Sequence, residues 1–343
     1  MLKNTRFMWL PALILAGCCE VANAQYAHVS QLFSAPMNIN PAFAGLQAEA
    51  SATTRFRQQW PKLQNAFQTI QASGDIRFRD TNNGIGLLLS ADQAGDGGLT
   101  RINVNGNYAY HLDISNKWSF SAGAGAGVGL QQADFDKLVF GDQITNNGYL
   151  SGNATQEFSK DYRSKAYLTV NAGGILYEKN FWVSFAGYQL NRPNLSHTDT
   201  KDLLSSSWIF TAGYKIYLDE VFNYKEYEEK SITPVAFYFT QGGLEQFNLG
   251  LYGTYLPLHG GVVYKGISLF GQTPFQQSLA LLAGVSLKGF TVGYSYDAPL
   301  TGIGRSLGGA HEISLVFERI NYNKIQRSRV SYKKYRPVPC PVF

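Results

Sequence analysis

Long runs in which apolar residues occupy every second position recur through most of this chain, and no other feature constrains its fold as strongly. In Phe290–Asp297, for example, Phe, Val and Tyr alternate with Thr, Gly, Ser and Asp. Successive side chains of a β-strand point to opposite faces, so this period of two is typical of a strand with one apolar face. The runs extend over about ten to fourteen residues, which exceeds the usual globular strand and approaches the length that crosses a bilayer at a tilt.

The runs predict an all-β fold, a transmembrane antiparallel β-barrel of about 14 strands, an even number as in single-chain bacterial barrels. Every second connection is short and the others are longer, as expected for periplasmic turns and outward-facing loops. The exceptions are a long acidic connection near Asp219–Lys230 and a short GGL at 242–244. The strands are predicted near residues 47–58, 66–79, 83–92, 101–112, 117–131, 165–177, 180–190, 206–218, 232–241, 245–256, 260–271, 277–288, 289–298 and 309–320.

The fifth run contains four glycines at alternate positions, Gly123, Gly125, Gly127 and Gly129. This spacing fits neither the G-x-G-x-x-G dinucleotide fingerprint nor the G-x-x-x-x-G-K-[ST] phosphate loop, so it does not indicate nucleotide binding. As a strand, the run turns its small residues to the lumen, where they leave room for water or for another part of the chain. The alternative is that glycine only relieves crowding between tightly packed strands.

The composition is poor in charge and rich in aromatic residues, at 15% and 14% of the chain. Soluble proteins carry about 25% charged residues, so this composition suits a chain whose outer surface meets lipid. No segment after the N-terminal region reaches about 18 consecutive apolar residues, and a transmembrane helix is therefore not predicted. We expect the barrel to lie in the cell outer membrane, in contact with its lipid.

The N-terminus has the pattern of an export signal, with Lys3 and Arg6 before an apolar run that is too short to span a bilayer. Two processing sites compete. We favour the A-x-A-like site with cleavage after Ala24; the alternative is a lipoprotein-like LAGC box that would leave a lipidated Cys18. The predicted organisation is a signal peptide at 1–24, an N-terminal periplasmic or plug segment at 25–46, the barrel at 47–320 and a basic periplasmic tail at 321–343.

Residues 25–46 contain two prolines and show no strand pattern. One hypothesis is that they fold into the wide lumen as a plug. The alternative is a disordered periplasmic extension, which is common at chain ends.

The positive net charge belongs to the C-terminal tail. Residues 321–343 carry six basic residues and no acidic one, whereas residues 25–320 carry 21 Lys or Arg and 23 Asp or Glu. Basic character confined to a tail does not indicate a nucleic-acid-binding surface, so no nucleic-acid partner is expected. The tail either docks on an acidic periplasmic partner, through contacts that include Lys333, Lys334 and Arg336, or is solvated.

Arginine is concentrated on the predicted lumen face of the first strands. If the barrel closes, the last strand lies beside the first, and its carboxylates can pair with these arginines. A functional interpretation is a charged interior that binds a plug or a passing polypeptide. The alternative is that lumenal charges neutralise one another in water, which is ordinary in polar barrel interiors. The candidate cluster comprises Arg55, Arg57, Arg77, Arg79, Arg101, Glu312 and Glu318.

No motif for catalysis or metal binding is evident in the sequence. The 5 histidines are scattered, without H-E-x-x-H or Cys/His pairing, and G-x-S-x-G does not occur. We therefore expect no enzyme activity, no metal and no cofactor.

Three elements resemble the PorP/SprF family of type IX secretion system outer-membrane proteins. The start SQLFSAPMNINPAFAG contains an Asn-Pro-Ala-x-Ala-Gly element, the run GGAHEISLVFE resembles the family's last strand, and CPVF resembles its Cys-Pro-x-Phe finish. The first element consists of Asn40, Pro41, Ala42, Ala44 and Gly45, and the finish of Cys340, Pro341 and Phe343.

The resemblance implies an outer-membrane barrel of Bacteroidota that works with the type IX machinery in protein secretion, in surface anchoring of large adhesins or in gliding motility. It implies partners among the machinery's ring and peptidoglycan-binding components and a secreted surface protein, with the C-terminal finish as a partner contact. The alternative is an outer-membrane transporter or porin for small apolar molecules. An apolar lumenal pocket would favour that alternative, and the arginine-rich face disfavours it.

Overall fold

A computed structural model describes the chain as fifteen β-strands and four short helical turns. The residues that it describes are 29–63, 67–78, 81–95, 99–132, 141–144, 164–196, 201–222, 227–267, 277–301, 304–319 and 337–342. None of the helical turns in these ranges is long and apolar enough to cross a membrane. The turns are Pro36–Asn38, Pro41–Phe43, Gly141–Gln143 and Gly304–Leu307. The strands are β1 (Ala50–Gln59), β2 (Phe67–Arg77), β3 (Asn83–Ala94), β4 (Leu99–Asp113), β5 (Ser119–Gln132), β6 (Ser164–Tyr177), β7 (Phe181–Tyr188), β8 (Ser207–Tyr214), β9 (Ile216–Phe222), β10 (Tyr227–Gln241), β11 (Leu244–Tyr255), β12 (Leu258–Ile267), β13 (Ser278–Leu287), β14 (Phe290–Pro299) and β15 (Ala310–Arg319).

Fourteen of the strands close into one antiparallel barrel. Neighbours along the chain pair from β1 to β8 and from β10 to β15, β8 pairs with β10, and β15 pairs with β1. The closing register runs from Ala50 opposite Arg319 to Gln59 opposite Ala310. Closure removes the open sheet edges whose unpaired N–H and C=O groups a bilayer could not satisfy. The predicted barrel of fourteen strands is therefore confirmed, with one extra strand.

The extra strand arises from an interruption at Lys215. The single strand that the alternation predicts over 206–218 ends at Tyr214, and β9 begins at Ile216. The next strand, β10, pairs with β8 along its second half and with β9 along its first half.

The prediction of a long connection near Asp219–Lys230 is wrong over most of its length. Residues on both sides of 223–226 form a hairpin in which Phe222 lies opposite Tyr227 and Asp219 opposite Lys230. The density of charge suggested a loop, but β9 pairs with β10 alone and the first residues of β10 pair with β9 alone, so the hairpin extends past the neighbouring strands. The sheet therefore projects at this point.

Each strand turns alternate side chains to opposite faces of the barrel wall. Large apolar residues on one face are exposed, with Phe56 at 39% and Leu168 at 66% of their free accessibility. Soluble proteins rarely expose a continuous apolar surface of this extent, so this face is the outer, lipid-facing one. The alternate positions point inward and are polar or small, as at the buried Arg55 and Gln71.

Aromatic pairs lie near both ends of the wall. The rings of Trp60 and Phe67 are 5.2 Å apart at one end, and those of Trp118 and Phe181 are 6.3 Å apart at the other. Girdles of aromatic residues mark the two membrane interfaces in outer-membrane barrels. The pairs are consistent with a membrane band between them.

The two ends of the barrel differ in their connections. The short-turn end holds the starts of β1 and β3, the end of β15 and tight turns such as Leu256–Pro257 and Lys288–Gly289. The long-loop end holds the longer connections, including residues 133–163 between β5 and β6. The predicted exception at 242–244 lies at this end, where Gly242 and Gly243 form a two-residue turn with φ of 55° and 88°. Two such positive values are typical of a type I′ hairpin, which glycine adopts without strain.

Two segments without strands are buried together with inward-facing wall residues. The N-terminal segment, residues 29–48, contains two of the helical turns, and most of its side chains are buried. The C-terminal segment, residues 337–342, belongs to the same apolar cluster through Val338 and Cys340. These two segments and the wall around them form the interior of the molecule.

Candidate functional site

Five charged side chains from four strands meet inside the barrel near the long-loop end. Arg57 on β1 contacts Asp297 on β14 at 2.9 Å and Glu312 on β15 at 3.2 Å. Arg55 lies 3.5 Å from Glu312, and Lys265 on β12 lies 3.0 Å from Asp297. All of these side chains are at most 8% exposed, so the cluster is a buried ionic network.

Barrel closure is what brings these charges together. Arg57 lies directly opposite Glu312 in the register of β1 and β15, although the two are separated by most of the chain. Asp297 and Lys265 have the same inward orientation on nearby strands. Moving charges out of water costs several kcal/mol per ion unless each is paired and hydrogen-bonded. The network therefore requires every one of its partners.

The N-terminal segment supplies several of those partners. The backbone N–H groups of Ser30 and Gln31 donate to the two carboxylate oxygens of Glu312, at 2.9 and 3.2 Å. Arg57 donates to the Ser30 hydroxyl at 3.0 Å, and Arg55 donates to the Gln31 carbonyl at 2.9 Å. Charge-assisted hydrogen bonds are roughly twice as strong as neutral ones. The network thus holds the segment as well as the seam between the first and last strands.

The opposite side of the segment packs on an apolar part of the wall. The ring of Phe33 makes edge contacts with Trp182 on β7 at 5.9 Å and Tyr252 on β11 at 6.0 Å. Aromatic pairs in this arrangement contribute about 0.5–1.5 kcal/mol beyond the area that they bury. The segment is therefore fixed between a charged wall and an aromatic wall.

The Asn-Pro-Ala element lies further along the same segment. Asn40 caps the helical turn Pro41–Phe43 by accepting from the Ala42 N–H at 2.9 Å. Its side-chain amide donates to the carbonyls of Gly174 and Phe185, at 3.0 and 2.9 Å. One side chain thus satisfies the helical turn and bonds to two neighbouring strands, which explains why an amide suits this position.

The rest of the element reaches the short-turn end. The N–H of Gly45 donates to Asp75 on β2 at 2.7 Å, and Gly45 has a φ of 65°. Ala44 and Ala42 are fully buried. Small side chains are needed here because the segment runs close to the wall.

The alternate glycines of β5 face the lumen as predicted, but they serve two purposes. A Cβ at Gly123 would overlap the backbone of Ala42, so this glycine makes room for the N-terminal segment. At Gly125, Gly127 and Gly129 a Cβ would overlap wall side chains, namely Asn107, Asn105 and Tyr167. The room that glycine leaves is occupied by another part of the chain at the first position and by neighbouring strands at the other three.

The predicted charge cluster is only partly assembled. Arg55, Arg57 and Glu312 meet as expected. Arg77 lies at the short-turn end and Arg101 at the long-loop end, where it donates to Gln131 at 2.7 Å.

One further member of the predicted cluster, Glu318, lies apart from it. Glu318 lies opposite Ser51, and no ion pair among the described residues includes it. Arg79 lies outside the described residues.

Four members of the network were not predicted from the sequence, namely Lys265, Asp297, Ser30 and Gln31. Asp297 and Lys265 could have been found from the inward parity of their strands. No periodic signal marks Ser30 or Gln31, because their segment is not a strand.

A polar cavity of about 100 Å³ lies between the N-terminal segment and the long-loop end. One wall carries Asp92 and Arg101, and Val29 borders it from the segment. A cavity of this volume and polarity suits a few water molecules rather than an apolar ligand. Seven of the sixteen lining residues carry side-chain amides, among them Asn38, Gln71, Asn103, Asn105 and Asn171.

The structure describes only part of the C-terminal Cys-Pro-x-Phe element. Cys340 and Pro341 are buried against the protein itself, and their contact with a partner stays a prediction. Lys333, Lys334, Arg336 and Phe343 lie outside the described residues. Within the described part of the chain, no group of three or more His, Cys, Asp or Glu side chains could hold a metal ion.

The sequence matches one known protein family. The family described as "Type IX secretion system membrane protein PorP/SprF" matches residues 21–317. No curated protein matches the chain.

Among solved structures, the chain is similar to the outer membrane protein Omp33 of Acinetobacter baumannii. That match has a TM-score of 0.45 and 9% identity and covers 80% of this chain and 99% of Omp33. A Pseudomonas aeruginosa FadL homologue matches with a TM-score of 0.40 and 10% identity, over 81% of this chain and 92% of that one. Both scores are below 0.5, so the assignment of the fold rests on the strand pairing itself.

Proposed function

Because the chain belongs to the PorP/SprF family of type IX secretion system membrane proteins, we propose that it is a closed-lumen barrel that supports the secretion or surface anchoring of large cell-surface proteins. Family membership makes it an outer-membrane component of that machinery, which implies interaction with the machinery. The proposed partners are ring and peptidoglycan-binding components on the periplasmic side and a secreted surface protein. Gliding motility is the proposed process where the surface protein is an adhesin.

The contacts that hold the N-terminal segment inside the barrel are the observation that supports a closed lumen. Its first residues bind the ionic network, Phe33 packs on the aromatic wall, and Asn40 bonds to two strands. We take this segment, residues 29–48, to be the plug predicted for residues 25–46, of which 25–28 lie outside the described residues. A barrel with its lumen occupied in this way is suited to be a scaffold in the membrane rather than a conduit.

A second candidate function is transport of small apolar molecules. The aromatic wall of Trp182 and Tyr252 favours it, because apolar ligands bind to such surfaces. In the structure this wall is covered by Phe33, and the cavity toward the long-loop end is lined mainly by polar side chains. Transport would therefore require the segment to leave the lumen.

The conductance of the purified full-length chain in planar lipid bilayers tests the closed lumen. We expect no steady ionic current at low voltage, since the segment and the network fill the interior. A stable open conductance of the full chain would contradict the proposed plug. A current that appears only in a Phe33→Asp variant would support it.

Affinity purification from the native outer membrane tests the role in secretion. A tag inserted at Gly95, in the connection between β3 and β4, lies away from the short-turn end. We expect co-purification of ring components or of a large surface protein. If such preparations contain only the barrel and lipid, the scaffold role fails, and the conductance result stands separately.

A further inference from the structure

The C-terminal segment is buried although the chain before it is strongly basic. Val338 is 4% and Cys340 5% exposed, and Pro339 and Pro341 are also buried. Val338 and Cys340 belong to the same apolar cluster as the N-terminal segment, and Val342 packs against that cluster. Burial of this kind is that of an occupied binding site and not that of a free tail.

The position of the segment follows from its neighbours. The thiol of Cys340 lies close to the side chain of Gln47, which precedes β1, and within electrostatic reach of Lys215 at the end of β8. Both neighbours are at the short-turn end of the barrel. Lys215 itself pairs with Glu229 at 3.0 Å. The segment therefore lies in the mouth of the lumen on this side, beneath the N-terminal segment.

The sequence of the segment suits this mouth. Pro337, Pro339 and Pro341 alternate with Val338, Cys340 and Val342. The Cys340 N–H donates to the Val338 carbonyl at 2.8 Å, which closes a tight turn at Pro339. Proline lacks an N–H and has a fixed φ, so a proline-rich peptide is already restricted in conformation and loses little entropy on binding. It also brings few backbone donors that would need partners in an apolar site. Recognition then depends on the small apolar side chains between the prolines.

We propose that the mouth of the lumen at the short-turn end is a binding site for an apolar peptide with proline at alternate positions. Residues 337–342 of the same chain occupy it. The site is formed by Gln47, by the region around Lys215 and by the apolar face of the N-terminal segment. A peptide of the same chemistry from another protein would bind only after the chain's own segment has left.

A disulfide cross-link in the full-length chain tests the location. After cleavage at Ala24, Cys340 is the single cysteine, so Gln47→Cys offers one partner. Under mild oxidation we expect most of this variant to form a 47–340 link, seen as faster migration of the unfolded chain on a non-reducing gel. The matched control is Lys117→Cys, an exposed position in a turn at the same end, which should stay uncross-linked. Equal cross-linking of both variants, or of neither, would overturn the proposal.

Labelling of Cys340 with a maleimide tests the site and its specificity. We expect the folded chain to label at least tenfold more slowly than the unfolded chain. A Val338→Asp variant should label quickly, because a carboxylate cannot stay in the apolar cluster, whereas Val338→Ile should stay protected. A synthetic peptide of residues 337–343 should then bind the vacated site in the Val338→Asp protein, and the same peptide carrying the Asp should not. Fast labelling of the unaltered folded chain would contradict the proposal even if the Asp variant failed to fold.

Discussion

Glu312, on the last strand, is the residue at which the first strand and the N-terminal segment contact the last strand. Its carboxylate pairs with Arg55 and Arg57 from the first strand and accepts two backbone N–H groups from the N-terminal segment. Its side chain has no exposed surface. Removing one partner of a buried charge cluster leaves the others desolvated and uncompensated, which is why such changes are severe.

Replacing Glu312 with Gln should lower the free energy of unfolding by about 3–5 kcal/mol, because the buried guanidinium groups of Arg55 and Arg57 each lose an ion-pair partner. Guanidinium-induced unfolding in detergent, followed by Trp fluorescence, measures the change. The matched control is Glu318→Gln on the same strand, for which we expect at most about 1 kcal/mol because no ion pair of the described residues is lost. Equal losses in the two variants would show that the network does not stabilise the seam.

A second residue-scale prediction concerns Gly123. Substitution by Ala places a Cβ against the backbone of Ala42, which the N-terminal segment cannot avoid without moving. We expect the segment to become sensitive to added protease while the barrel stays intact. Gly253→Ala is the control, since a Cβ there meets nothing within 4 Å. Unchanged protection of residues 29–48 in Gly123→Ala would show that the close approach is not required.

Side-chain parity explains which of these residues could be predicted. Arg55, Arg57 and Glu312 have inward parity on strands that barrel closure makes neighbours, so their meeting follows from the alternation. Parity does not give height along the strands. Glu318 has the same orientation as Glu312 but lies close to the other end, opposite Ser51, and is separated from the cluster for that reason.

At the scale of elements, the strands were predictable because their alternation repeats. The course of the N-terminal segment was not predictable, because nothing in its sequence repeats. The hairpin of β9 and β10 was obscured by its charge, and the break at Lys215 has no local signal. The burial of the C-terminal segment was obscured by the six basic residues before it. Its own proline-spaced apolar pattern was the signal that could have indicated burial.

The C-terminal segment also leads to a prediction about pH. Burial raises the pKa of the Cys340 thiol, so the thiol stays protonated in the folded chain at a pH where an ordinary thiol, with a pKa of about 8.5, is ionised. Maleimide labelling between pH 7 and 9 should therefore rise little in the folded chain and about tenfold or more in the unfolded chain. Because the raised pKa favours the protonated form, the segment's contribution to stability is full below the ordinary pKa and falls at more alkaline pH. Parallel pH profiles for folded and unfolded protein would contradict this.

The whole molecule is a closed wall of strands around buried segments, and this architecture can be tested by gel migration and circular dichroism. In a closed barrel the backbone hydrogen bonds join each strand to its neighbours and leave few open edges for detergent to attack. We expect unheated samples in SDS to migrate faster than boiled ones, with a strand-type circular dichroism spectrum that is lost only on boiling. A mainly helical spectrum, or migration that does not depend on heating, would contradict the fold.

The course of the N-terminal segment has a consequence for how the barrel is made. Val29 accepts from Lys265 near the long-loop end, whereas the segment joins β1 at Ala50 at the short-turn end. The chain is thus threaded lengthwise through the ring of strands. During biogenesis the segment has two routes into place: it is laid against the sheet before β15 pairs with β1, or it enters the closed ring through the mouth at the short-turn end.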